Sequence, residues 1–310
     1  MEQGAIERRA HPAGMRLWDW RAPDGWLHRR MDWPQPEEAS RGSLLFAGGR
    51  GDFVEKYLEA FAVWHRQGWS VSSFDWRGQG KSKGPIAGAN LDSFDPLLED
   101  MAALVADWRA GNPAPHVVIG HSMGGHMLLR LLIERRPEID AAVLIAPMMA
   151  VNSFPLPAWL AAATASAAAG LGFGRRPLWK APLARAPAGS KRQKVLTNCT
   201  SRYEDERYWW ELEPDFAPAA PDFGWLRAAF RSARSFTPGN LAKLDLPMLV
   251  IGAEQDRLVS ADAIRRTARL LPRAELQMLE GCAHEILREE DAPRRAAMGW
   301  IESFLAKSLR

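Results

Sequence analysis

Strand-length and helix-length patterns alternate along this chain. Short runs at Ser43–Ala47, Trp69–Trp76, His116–Gly120, Ala141–Ala146, Leu246–Ile251 and Ala274–Leu279 have the length and composition of buried strands. Interleaved with them, Phe53–Gln67, Asp95 to about Ala110, Met123–Arg135, Ala261–Leu271 and Pro293–Leu309 carry apolar residues at helical spacing. Asp95 before Pro96 reads as an N-cap followed by proline at the first helical position. Arg16–Trp33 alternates in part around Pro23-Asp24-Gly25, which predicts a hairpin: proline presets φ and glycine accepts a positive one. This order predicts an α/β fold with a doubly wound, mostly parallel sheet. The alternation stops between about Met149 and Gly239, a segment rich in Ala, Pro, Arg and Trp that reads as several short helices. We therefore expect a core built from residues 1–148 and 240–310, with a helical cap inserted at 149–239.

Composition narrows the function classes. The chain has 310 residues, 47% hydrophobic and 25% charged, enough to bury a sizeable core. A net charge of +3 with no long Lys/Arg block argues against a nucleic-acid arm. The two cysteines, Cys199 and Cys282, have no partners at metal-ligand spacing beyond His284, too few for a zinc site. The opening MEQGAIERRAHPAG has no apolar segment of a secretory signal. The mildly apolar run Pro155–Gly174 is alanine-rich and interrupted by proline and glycine, short of a spanning helix. These features lead us to expect a soluble, cytoplasmic protein.

The chemistry concentrates at HVVIGHSMGGHM, His116–Met127. Gly120-His121-Ser122-Met123-Gly124 fits G-x-S-x-G between an expected strand and an expected helix. In that setting a serine stands on a sharp turn with the positive end of a helix behind it. A serine needs a base, and the base an orienting carboxylate, in the chain order Ser, Asp/Glu, His. Asp256, in the loop after the Leu246–Ile251 strand, is the preferred carboxylate, with Glu254 as competitor. His284 follows the glycine turn after the last strand, where the base belongs. His126, one helical turn past the serine, is the other histidine to weigh, and His121 precedes it directly. A base on the serine's own helix would approach from within packed structure, which favours His284.

Four motifs give the chain a family resemblance. GHSMGG (Gly120–Gly125), DWRGQGKS (Asp75–Ser82), GRGDFVEKY (Gly49–Tyr57) and CAHE (Cys282–Glu285) are similar to the nucleophile elbow, the D-x-R-G-x-G-x-S loop, the oxyanion loop and the histidine turn of the lysophospholipase and monoacylglycerol-lipase branch of the serine α/β-hydrolases. The resemblance implies the α/β-hydrolase fold, a helical cap, no metal or organic cofactor, and a catalytic set of Ser122, Asp256 and His284. It also implies that the backbone N–H groups of Arg50 and Met123 stabilise the oxyanion. One departure stands out: Gly48 occupies the position where many members have histidine. Bacterial lysophospholipase-like members often lack that histidine, so the departure shifts the resemblance toward that subgroup.

The resemblance implies cleavage of lipid-like carboxylic esters, lysophospholipids or monoacylglycerols. A carboxylesterase or thioesterase for other acyl groups, and a non-catalytic binding protein on the same fold, are the alternatives. In the cap, Phe154, Trp159, Phe173, Trp179, Trp209, Trp210, Phe223, Trp225 and Phe230 are expected to be mostly core, with a minority lining an acyl pocket. Arg175, Arg176, Lys191, Arg192 and Lys194 make the cap basic, a face suited to a phosphate headgroup or an anionic membrane. LFAGGRGDF (Leu45–Phe53) spells Arg-Gly-Asp, but within a loop leaving a buried strand, which argues against an adhesion site. Arg50 enters this reading through its amide, with its guanidinium expected on Asp52, another nearby acid or a substrate headgroup.

Overall fold

The computed structural model describes residues 7–84, 91–153, 155–178 and 186–309. Eight strands form one sheet: β1 (Arg16–Arg21), β2 (Leu27–Trp33), β3 (Ser43–Ala47), β4 (Ser70–Phe74), β5 (His116–His121), β6 (Ala141–Ile145), β7 (Met248–Ala253) and β8 (Ala274–Leu279). Their order is β1-β2-β4-β3-β5-β6-β7-β8. The β1–β2 and β2–β4 pairs are antiparallel, and β3 onward pairs in parallel. This is the expected α/β-hydrolase fold.

Every residue of β3, β4, β5, β6 and β7 is buried. That explains their lack of polar alternation, because helices cover both sheet faces. Helices α1 (Leu58–Arg66) and α10 (Asp291–Ser308) supply the apolar layer on one face. Helices α2 (Asp95–Ala110), α3 (Met123–Glu134) and α9 (Ala261–Ala268) supply the other. Between β6 and β7 come α4 (Ala158–Ala168), α5 (Lys191–Leu196), α6 (Thr200–Leu212), α7 (Phe223–Ser232) and the short α8 (Pro238–Leu241). Among the described residues, no helix is long and apolar enough to cross a membrane.

Two local expectations shift. Asp95 is the first residue of α2 rather than its N-cap, and the buried Phe94 stands in the cap position. Ser93 does the polar work there: its hydroxyl donates to Asp95 Oδ2 (2.8 Å) and accepts from the Asp95 N–H (3.2 Å). The helix expected from Phe53 opens as a tighter turn over Val54–Tyr57, and α1 proper begins at Leu58. The hairpin follows expectation. Ala22 N–H bonds the Trp26 carbonyl (2.8 Å) while Gly25 takes φ 90°.

The tightest backbone packing lies where β3, β5 and α3 meet. A Cβ at Gly120 would stand 2.7 Å from Gly124 and Gly125 backbone atoms. One at Gly124 would stand 2.7 Å from the Ala47 carbonyl carbon and collide with its oxygen. Backbone atoms cannot yield as a flexible side chain does. Gly124→Ala should therefore destabilise the fold by about 3 kcal/mol, read as a lower urea midpoint with an unchanged m-value.

Candidate active site

Strand β5 ends at His121 and α3 begins at Met123, so Ser122 alone makes the turn. It sits at φ 52°, ψ −115°, a conformation that costs a non-glycine residue about 1–3 kcal/mol. Its surroundings hold it there. The Ser122 N–H donates to the Ile145 carbonyl (2.9 Å), and the Ser122 carbonyl accepts from the N–H groups of His126 and Met148 (3.0 Å each).

The Ser122 Oγ lies 2.8 Å from His284 Nε2, and His284 Nδ1 lies 2.6 Å from Asp256 Oδ2. The second Asp256 oxygen accepts the N–H groups of Leu258 (2.8 Å) and Val259 (3.0 Å), which fixes the carboxylate in its loop. Burial pushes the Asp256 pKa up, but His284 and these N–H groups outweigh it and bring it below the usual value. Burial likewise works against a charged His284. The Asp256 charge and hydrogen bond prevail, and its pKa lies above the ordinary 6.5.

The competing residues go elsewhere. Glu254 pairs with Arg265. His126 is fully buried, bonded to the Met148 carbonyl (2.8 Å) and Ser232 Oγ (2.6 Å), and burial brings its pKa down to about 4. His121 Nδ1 meets Tyr57 Oη (2.9 Å) and Asp52 Oδ2 (3.0 Å).

The Gly48–Asp52 loop is held on every side. Trp76 Nε1 donates to the Gly48 carbonyl (2.7 Å), the Gly49 N–H donates to Asp52 Oδ2 (2.6 Å), and the Gly51 N–H bonds Gln79. A Cβ at Gly49 would come within 3.0 Å of both Asp52 Oδ2 and Ser122 Cβ. Of the alternatives for the Arg50 guanidinium, the pairing with Asp52 is not the one observed. Asp52 is taken by Lys56, and Arg50 Nη2 donates instead to the Ala219 carbonyl (2.8 Å) while its guanidinium lies 5.2 Å from the Trp225 ring centroid. Arg50 thus ties the loop to the β6–β7 insertion. Burial pushes its pKa down to about 10, with Asp222 acting in opposition, so the side chain stays charged at neutral pH.

Ser122, His284, Arg50 and Met123 all line a cavity of about 610 Å³. Its wall is mainly apolar, with Met148, Leu178, Val195, Leu196, Trp225 and Phe230 among the contributors. Of the aromatics expected in the cap, Trp225 and Phe230 reach the cavity, and Trp209 and Trp210 join the core below. Phe223 is half-buried. Trp159 and Phe173 do neither, being 71% and 52% exposed. Phe154 and Trp179 lie outside the described residues.

Sequence reasoning missed the charged cluster beneath the site. Lys56 Nζ contacts Asp52 (2.7 Å), Glu285 (2.6 Å) and Glu206 (2.9 Å), all four side chains buried. Arg288 pairs with Glu285, and Arg192 with Glu206 (2.7 Å). One ammonium therefore joins the loop beside Ser122, the loop of His284, and helix α6 of the insertion. Only the i,i+4 spacing of Asp52 and Lys56 hinted at it. Burial alone would raise the Glu206 pKa, but Arg192 and Lys56 bring it down to about 2. A depressed carboxylate contributes stability above its unfolded value, here the ordinary 4.5, and loses it as pH falls toward about 2. Lys56→Met should cost about 3–5 kcal/mol at pH 7 by leaving buried carboxylates uncompensated. In urea titrations that deficit should shrink below pH 4.5, where the carboxylates can take up protons.

Comparison with known proteins shows what the chain as a whole is similar to. The family described as "Serine aminopeptidase, S33" matches residues 38–291. "Probable lysophospholipase L2" of Haemophilus influenzae is 26% identical over 275 residues, covering 87% of this chain and 86% of that protein. "Lysophospholipase L2" of Escherichia coli K12 is 28% identical over 287 residues, covering 84% and 79%. Among solved structures, a soluble variant of monoglyceride lipase from Saccharomyces cerevisiae superposes with a TM-score of 0.75 at 18% identity, covering 99% of each chain. Sequence and fold thus agree across most of the chain: it belongs to the serine α/β-hydrolases, in their lysophospholipase and monoacylglycerol-lipase-like branch, and is a carboxylic ester hydrolase of the lipase/esterase type.

Proposed function

We propose that Ser122 is the nucleophile, His284 its general base and Asp256 the group that orients the imidazole. The observation that carries this reading is the chain of two short contacts, 2.8 and 2.6 Å, opening into an apolar cavity. Ser122 Oγ attacks the ester carbonyl carbon as His284 Nε2 takes its proton. The tetrahedral oxyanion is met by the N–H groups of Met123 and Arg50. The Met123 amide opens α3 and so has no acceptor within the helix. Each such donor is worth roughly 3 kcal/mol of barrier. His284 returns the proton to the leaving alcohol, and water then hydrolyses the acyl-enzyme by the same steps.

The substrate class we propose is a single-chain lipid ester, a lysophospholipid or a monoacylglycerol. The cavity wall suits one acyl chain, and the relatives above are named for such esters. The family description names aminopeptidases, but a substrate's free amino group needs a carboxylate. The two in the lining, Asp52 and Glu285, are both held by Lys56. An adhesion role through Arg50-Gly51-Asp52 is disfavoured because the Asp52 side chain is buried.

A fluorophosphonate probe should label the wild type and not Ser122→Ala, whose kcat should fall by at least about 10⁴-fold. Because His284 must be neutral to accept the proton and its pKa is raised, kcat/KM should climb with pH through a midpoint above 6.5. On p-nitrophenyl esters, medium and long chains should outrun acetyl. A sharp preference for acetyl would shift the reading to a general carboxylesterase or thioesterase, and labelling of Ser122→Ala would remove the nucleophile assignment.

We also propose that the insertion meets an anionic lipid surface in the cytoplasm. Trp159, Leu171 and Phe173 are 71%, 75% and 52% exposed, and the basic Arg175 and Arg176 follow directly in sequence. Co-sedimentation with phosphatidylglycerol vesicles should weaken in Trp159→Ser with Phe173→Ser. Equal binding by this double variant and the wild type would rule the surface out.

A further inference from the structure

The cavity lining carries five basic side chains, Arg50, Lys56, Lys191, Arg192 and Arg257, against two acids, Asp52 and Glu285. Three of the five are committed. Lys56 is enclosed by Asp52, Glu206 and Glu285, Arg192 is paired with Glu206, and Arg50 spans to Ala219 and Trp225. Lys191 and Arg257 differ. Both are exposed at the cavity, and among the described residues neither has a carboxylate within ion-pair distance. They come from two separate elements that line the same cavity as Ser122 and His284. Arg257 follows Asp256 directly. Lys191 opens α5, whose last residues are bonded to the histidine loop through Glu285 N–H to the Leu196 carbonyl (2.7 Å). Of the other basic residues expected on the cap face, Arg175 pairs with Asp92 (2.9 Å), and Arg176 and Lys194 do not line the cavity.

We propose that Lys191 and Arg257 form a phosphate subsite at the cavity mouth and select lysophospholipids whose headgroup is anionic overall. The inference rests on the ester-hydrolase reading of Ser122 and deepens it. A phosphodiester three atoms from the scissile ester would meet these cations while the acyl chain fills the apolar wall. A headgroup ammonium has no counterpart there, because Lys56 holds both acids of the lining. The order of preference is therefore anionic over zwitterionic over neutral.

The test compares kcat/KM on octanoyl lysophosphatidylglycerol, octanoyl lysophosphatidylcholine and monooctanoylglycerol, each below its micelle concentration so that no lipid surface contributes. Wild type should favour the anionic substrate, and high salt should erode that preference. Lys191→Ala and Arg257→Ala should each lower the anionic-to-neutral ratio by about fivefold. Lys191→Ala is independent of any disturbance at Asp256, since it lies on another element. Inorganic phosphate should compete with the neutral ester more weakly in both variants than in wild type, and equal competition in all three proteins would count against the subsite. An unchanged ratio in the double variant, with all three esters still cleaved, would overturn the subsite and leave the hydrolase reading standing. A wild type that cleaves none of the three would overturn both.

Discussion

The site depends on one steric constraint: the backbone of α3 touches the end of β3. Gly124 has no room for a Cβ against the Ala47 and Gly48 carbonyls, and Gly120 has none against Gly124 and Gly125. This contact lets the chain reverse over a single residue. Ser122 is left at a positive φ, with its hydroxyl turned toward the cavity instead of packed between sheet and helix. The same approach brings the Gly48–Asp52 loop beside the serine, since that loop is the continuation of β3. The proposed nucleophile and the proposed oxyanion loop are thus positioned by one packing event, and the strain at Ser122 is offset by its backbone hydrogen bonds with Ile145, His126 and Met148.

A second layer fixes what the first brings together. Asp75, at the end of β4, accepts the Val54 N–H (3.0 Å) and the Lys81 N–H (2.8 Å) and pairs with Arg29, so the Asp75–Ser82 loop braces the loop beside Ser122. Below it, Lys56 gathers three carboxylates from three segments far apart in sequence. Burying such charges is expensive, and their mutual attraction repays the cost only when every partner is in place. The cluster therefore favours one arrangement of core, histidine loop and insertion over looser ones. Arg50 adds a further tie from the loop to the insertion, outside the cluster.

These ties also set the polarity of the cavity. Lys56 neutralises the acids that line it, leaving an apolar wall with two cations, Lys191 and Arg257, that have no carboxylate partner among the described residues. A ligand with an acyl chain and an anionic group complements that surface, and a ligand with a free amine does not. Substrate preference in this reading follows from how the buried charges are paired, more than from any single residue facing the ligand.

Much of the core was legible in the sequence because its signals are local. Unbroken apolar runs mark strands covered on both faces. Small residues around Ser122 mark a turn that must be tight, and the chain order of Ser122, Asp256 and His284 follows the connectivity of such a sheet. The start of α2 was misjudged by one residue, because the buried Phe94 supplies the boundary and a capping pattern cannot register burial. Arg50 and Lys56 were not legible in the same way. Whether a charged side chain is buried, and which acid it meets, depends on segments some 150 to 230 positions away: Asp52 could pair with Arg50 or Lys56 by spacing alone, and Glu206 and Glu285 decide for Lys56. The same holds for the aromatics of the insertion, where one composition yields core at Trp209, cavity wall at Trp225 and open surface at Trp159. Local pattern determines which elements form and where a turn must be sharp; long-range packing alone decides which charges and rings face the substrate, because burial is a property of the whole assembly.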